Sequence, residues 1–128
     1  MFRILLTIIL FITGLVSYSQ EANPVLVIKN KTQKFKKITQ GEIVNFEYII
    51  INKGNTDLII NDVEVSCGCT TPDYTNAPLP AGKSMIIKAT FDSADKYGWQ
   101  DRKIRITSND PQSPHFLRFK GMVKEVKK

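Results

Sequence analysis

Histidine and cysteine are scarce in this chain, with one of the first and two of the second among 128 residues. A structural zinc site draws four ligands from cysteine and histidine, so the chain falls one short of supplying it alone. Two cysteines make at most one bridge, so the core cannot rest on a disulfide framework. Helical periodicity is also missing: beyond the first residues, no segment keeps an apolar i, i+3, i+4 pattern for three turns. There is no Gly-rich phosphate loop, no HExxH helix and no nucleophile elbow. The carboxylate pairs Asp92/Asp95 and Asp57/Asp62 fall among turn residues and read as turn chemistry. With these routes to catalysis absent, the chain is expected not to be an enzyme. Internal repeats and low-complexity linkers are absent too.

What is present begins with an export signature. Arg3 supplies a positive n-region and Ile4 to Val16 an apolar h-region. Ser17-Tyr18-Ser19 puts small residues where a signal peptidase needs them, so cleavage is expected before Gln20. The apolar run of roughly 13 residues is short of the roughly 20 that span a bilayer, so no membrane span is expected after cleavage. No cysteine follows the h-region to carry a lipid. The expected organisation is a signal peptide over 1–19 and one domain over 20–128, periplasmic or secreted, long enough for a modest hydrophobic core.

The rest of the chain alternates with period two. Val44, Phe46, Tyr48 and Ile50 share one face, with Asn45 and Glu47 on the other. Asn52-Lys53-Gly54-Asn55 reads as a turn. Leu58 and Ile60 share a face, which Val63, Val65 and Cys67 join only if a bulge near Asn61-Asp62 absorbs one residue. Met85, Ile87, Ala89 and Phe91 form another inward row, as do Ile104 with Ile106, and Leu117, Phe119, Gly121 and Val123. Thr71 to Gly82, with Pro72, Pro78 and Pro80, reads as an irregular excursion, and Asp92 to Gln100 as a loop. About seven short strands in a domain this size predict an all-β, immunoglobulin-like antiparallel sandwich. The likeness is of architecture only, because no distant cysteine pair links two sheets.

Cys67 and Cys69 stand one residue apart in Ser66-Cys67-Gly68-Cys69-Thr70. In an extended strand their Cα atoms would lie about 6.6 to 7.2 Å apart, against the roughly 5.5 to 6 Å of a relaxed disulfide. A bridge therefore needs the chain to turn, with Gly68 as the hinge through its freedom to take positive φ. So small a ring is expected to be strained and labile to reduction. The open readings are a structural disulfide, a pair of inert thiols, a redox-active pair, an intermolecular bridge, or a Cu(I) site. Cu(I) favours thiolate and thioether donors, and Met85 and Met122 are the thioether candidates, although Met85 also belongs to an inward row.

The formal charge is +6, and its excess is local. Lys29, Lys31, Lys34, Lys36 and Lys37 cluster early, while Lys124, Lys127 and Lys128 end the chain. They read as a lysine-guarded sheet edge and a solvated tail, with attraction to an anionic surface as the alternative. Not being interleaved with exposed aromatics, they do not resemble a nucleic-acid reader, and nucleic acid is not an expected partner. His115 reads as an ordinary surface imidazole. Tyr74, Tyr97 and Trp99 fall in two expected loops; if these meet at one end of the sandwich they form an aromatic rim beside the cysteines. The alternative is that they plug the open end of the core.

Several of these residues carry a resemblance. Phe46, Asn52-Lys53-Gly54-Asn55, Leu58-Ile59-Ile60, Val63, Ser66-Cys67-Gly68-Cys69-Thr70 and Pro72 are similar to the bacterial domain-of-unknown-function family 1573. Pro80 and Gly82, Phe91-Asp92, Gly98, Ile104-Arg105-Ile106, Ser108-Asn109, Leu117 and Gly121-Met122-Val123 agree with it. The likeness runs from about Gln40 to Val123. It departs at Pro80-Ala81-Gly82, where the family has Pro-Gly directly. The resemblance implies an exported Ig-like domain and no substrate. The functional expectation is an exported, non-catalytic module that binds a protein or glycan through its loop end. A thiol-based redox or Cu(I)-handling accessory is the alternative.

Overall fold

The computed structural model describes residues 21–127, so the expected signal segment 1–19 lies outside them. The described residues form nine strands and no helix. These are β1 (Leu26–Ile28), β2 (Thr32–Lys34), β3 (Ile38–Thr39), β4 (Ile43–Asn52), β5 (Ile60–Val65), β6 (Thr70–Asp73), β7 (Ser84–Asp92), β8 (Gly98–Ser108) and β9 (His115–Lys124). One sheet has the order β1-β4-β7-β6; the other has the order β2-β9-β8-β5, with β3 also on β9. The two layers make the expected sandwich.

The inward rows pack as their alternation requires. Tyr48, Ile50, Ile87, Phe91, Ile104, Ile106, Leu117 and Phe119 are fully buried between the sheets. Apolar area removed from water stabilises such a layer by about 25 cal/mol per Å². At its centre Phe119 stacks on Phe46 with ring centroids 4.5 Å apart, and Phe91 lies 5.3 Å from Phe119. Phe35 closes this cluster against Gly121, where an added Cβ would come within 2.4 Å of the Phe35 ring. The expected bulge is present, because the β5–β8 register shifts between Ile60 and Asp62. It keeps Ile60 and Val63 both buried.

Three of the nine strands, the edge strands β2, β3 and β6, carry no apolar alternation and were not expected as strands. β2 and β3 lie in the lysine-rich segment and run parallel to β9. The chain thus leaves the first sheet after β1 and joins the second. Asn30 eases that crossing: its amide donates to the Glu47 carbonyl at 3.0 Å and accepts from the Ile49 N–H at 3.0 Å. Lys34 is exposed on the edge strand β2. β6 corrects the expectation that Thr71 to Gly82 is irregular throughout. Pro72 sits within it opposite Ala89, tolerated because β6 is an edge strand and one face of its backbone needs no partner.

Burial has a consequence for alkaline pH. The Tyr48 hydroxyl donates to the Arg118 carbonyl at 3.0 Å, and burial raises its ionisation well above the ordinary value of 10.0. The unfolded chain then loses this proton at lower pH than the folded one. The stability it supports is full below the unfolded value and is lost as pH rises towards the folded one. Replacing Tyr48 by Phe should flatten the fall in urea midpoint between pH 9 and 11; an unchanged slope would remove Tyr48 as its source.

Candidate functional site

Strand directions sort the loops into two ends. One end holds the β4–β5, β6–β7 and β8–β9 connections, together with residues 21–25. The other holds the β5–β6 and β7–β8 connections and the C-terminal residues after β9. The cysteines lie at the second end, where the chain passes from the edge of one sheet to the edge of the other.

Cys67 and Cys69 are joined as a disulfide with their Cα atoms 5.3 Å apart. The turn forms as the short spacing demands, but by a different route from the expected hinge. Gly68 is not among the positive-φ glycines, which are Gly41, Gly82 and Gly98, and a Cβ at Gly68 would meet nothing within 4 Å. The backbone therefore reverses in a conformation open to other residues. After it the Cys69 carbonyl accepts from the Asp92 N–H at 2.8 Å, docking the crossing onto β7. Both cysteines are half-buried. Cys69 packs against the core on one side and on the other opens to a shallow cleft with Gly68, Asp92, Ala94, Asp95 and Lys96. Asp92 caps the loop in that cleft by accepting from the Ala94 N–H at 3.0 Å, the turn role its sequence position suggested. The loop closed by the bridge is only three residues, so the chain-entropy contribution is about 1.6 kcal/mol. Replacing both Cys67 and Cys69 by serine should lower the unfolding free energy by about that amount; a loss of the whole fold would mean that the bridge does more than close a turn.

The thioether candidates do not gather around this bridge. Met85 pairs with Ile50 near the opposite end of β7, about 20 Å of strand from Phe91, the residue opposite Thr70. Met122 faces outward beside Trp99. Among the described residues no group of three or more His, Cys, Asp or Glu side chains converges as metal ligands would.

His115 is remote from the cysteines and is not an ordinary surface imidazole. It sits opposite Ile106 on β8, at the first end. Its Nε2 lies 2.8 Å from Asp110 Oδ2, and the Asp110 side chain is only 2% exposed. The Ser108 hydroxyl donates to the other oxygen of the same carboxylate. The carboxylate thus stands between serine and histidine and joins the two rims of the β8–β9 turn. The serine bonds the carboxylate and not the imidazole, so the three side chains form a hydrogen-bonded knot across the turn.

The three aromatic candidates separate. Tyr74 follows β6 midway along the sandwich and packs against the core. Trp99 lies within β8 and not in a loop, because β8 begins at Gly98. Its side chain points away from the core beside its cross-strand partner Met122. Tyr97 immediately precedes the strand, and both Tyr97 and Trp99 are 60% exposed. Tyr97 and Trp99 therefore share the cysteine end of the sandwich without Tyr74, and being exposed they do not plug the core.

Sequence reasoning missed what surrounds Trp99. The outward row of β8 continues through Asp101, Lys103 and Arg105; that of β9 runs Phe116, Arg118, Lys120, Met122. Arg118 grips Asp101 through two donors, and this hydrogen bonding holds the Asp101 carboxyl below its usual range. Phe116 is half exposed beside Arg105, which reaches Glu64 at 3.5 Å. The signal was available, since the residues alternating with Ile104, Ile106, Leu117 and Phe119 must share the opposite face of one sheet.

A protein of unknown function from Porphyromonas gingivalis W83 superposes with a TM-score of 0.70 at 18% identity, covering 84% of this chain and 50% of that one. The ASH/PapD-like domain 7 of human CEP192 superposes at 0.63 with 15% identity, covering 91% of this chain and 96% of that domain. The secreted serine protease VesC of Vibrio cholerae follows at 0.56 and 12% identity, covering 81% of this chain and 24% of that one. The chain thus spans half the length of the Porphyromonas protein, and these likenesses concern the fold. No curated protein matches the sequence. The family model described as protein of unknown function (DUF1573) matches residues 26–123, and the chain belongs to that family.

Proposed function

We propose that this protein is an exported, non-catalytic Ig-like module that binds a macromolecular partner through the Tyr97–Trp99 end of the β8–β9 sheet. The observation that carries the reading is that Tyr97 and Trp99 are each 60% exposed on a sandwich whose other large aromatics, Phe116 apart, are buried or packed on the core. A rigid sheet holding large amphipathic rings in water presents contact area at little conformational cost. The test is capture from a periplasmic or secreted fraction on the immobilised protein. Replacing Tyr97 and Trp99 by alanine together should abolish it, and capture that survives both changes would move the interface elsewhere.

A second reading is a thiol-based redox accessory. It is supported by one observation, the half-buried Cys67–Cys69 bridge opening on the cleft with Asp95 and Lys96. Alkylation of the native protein, with and without mild reductant, addresses it by mass. Two added labels after reductant keep the redox reading. No labels leave a structural bridge alone.

A further inference from the structure

The outer face of the β8–β9 sheet arranges its chemistry in an order that selects a kind of partner. Trp99 and Met122 stand at one end of this face and Phe116 at the other. The two ends are six residues apart along β8, or about 20 Å. Between them run two charged rows, Asp101 opposite Lys120 and Lys103 opposite Arg118. Lys34 on β2 extends the first row, because it sits beside Lys120. Asp101 is spent on Arg118. Among the described residues no salt bridge involves Lys34, Lys103 or Lys120. The middle of the face is therefore cationic, with Trp99 and Met122 at one end and Phe116, beside the Arg105–Glu64 pair, at the other.

A protein interface has the opposite plan, an apolar centre depleted of charge inside a polar rim. An exposed aromatic ring at each end with ammonium groups between suits an extended polymer of rings carrying regularly spaced anionic groups. We infer that this face binds a linear polysaccharide bearing carboxylate or sulfate groups, with sugar rings stacked on Trp99 and Phe116 and the anions over Lys34, Lys103 and Lys120. The inference rests on the binding reading above and names its ligand class. A single-stranded nucleic acid shares part of this chemistry, but the export signature sets the glycan first.

Trp99 is the only tryptophan of the chain, so its fluorescence reports on the face directly. The experiment titrates the purified protein with polygalacturonate, with heparin, with neutral dextran and with a single-stranded oligonucleotide. The expected result is a saturable change in emission with polygalacturonate or heparin, and none with dextran. Which of the two anionic glycans binds more tightly distinguishes carboxylate from sulfate. Lys103→Glu with Lys120→Glu, and separately Phe116→Ala, should each weaken binding about tenfold or more, with circular dichroism unchanged. Salt near 1 M, where screening reaches about 3 Å, should remove most of it. Silence towards both anionic glycans, equal response to dextran, or tighter binding of the oligonucleotide overturns the inference. If the glycans fail while the aromatic double variant still abolishes capture from the exported fraction, the binding reading stands and only the ligand class falls.

Discussion

Replacing Asn52 by alanine is expected to destabilise the domain by about 3–5 kcal/mol, because the Val25 and Gly54 N–H groups and the Thr56 carbonyl lose their partner at once and the Leu79 carbonyl is left with the Leu58 N–H alone. Asn52 ends β4 and is fully buried. Its amide donates to the carbonyls of Thr56 at 2.7 Å and Leu79 at 2.9 Å. Its oxygen accepts from the N–H groups of Gly54 at 3.0 Å and Val25 at 3.3 Å. One side chain thus ties together the β4–β5 turn, the β6–β7 connection and the segment leading into β1. The close approach also explains Gly54, where a Cβ would lie 2.3 Å from the Asn23 carbonyl oxygen. The neighbouring Asn55 is exposed and binds only residues 21 and 23, so Asn55→Ala should cost about 1 kcal/mol or less. Urea denaturation of both variants checks the contrast. An Asn52→Ala protein within about 1 kcal/mol of the wild type would mean that water replaces these bonds freely.

Phe119→Ala is expected to cost about 3–5 kcal/mol through the cavity it leaves at the centre of the sandwich. The ring is fully buried, stacked on Phe46 and in contact distance of Phe35 and Phe91. The surrounding strands cannot collapse into the space without losing ladder hydrogen bonds, so most of the packing loss remains. Phe116 lies on the opposite face of the same strand and is 51% exposed. Its replacement by alanine should change stability by about 0.5 kcal/mol or less. Equal effects from the two substitutions would contradict the assignment of β9 faces.

The long strands were legible because one residue in two must leave water. Val44 to Ile50, Met85 to Phe91 and Leu117 to Val123 show this pattern, and the bulge at Asn61-Asp62 followed from keeping Val63 inward. β2, β3 and β6 were not legible, since an edge strand held by backbone hydrogen bonds needs no apolar alternation. Trp99 was misread for a related reason. β8 runs past the end of its inward apolar row, and its inner face turns polar at Gln100 and Arg102, so alternation stops marking the strand. Arg102 donates to Gln100 Oε1 at 2.9 Å there. The cysteine spacing correctly required a turn but not how the backbone makes it. His115 looked ordinary because its partner Asp110 is hidden in what reads as a simple Ser-Asn-Asp-Pro turn. The role of Asn52 is tertiary, and nothing local in an Asn-x-Gly turn distinguishes a buried amide from an exposed one.

Hydrogen exchange on the protein bound to its captured partner tests most directly which surface is used. Slowed exchange is expected only in β8 and β9 around residues 97–105 and 116–124, with the 66–69 crossing at its margin. Protection centred instead on the β6–β7 and β8–β9 connections, or on the outer face of β4 and β7 around Ile49 and Ile86, would contradict it.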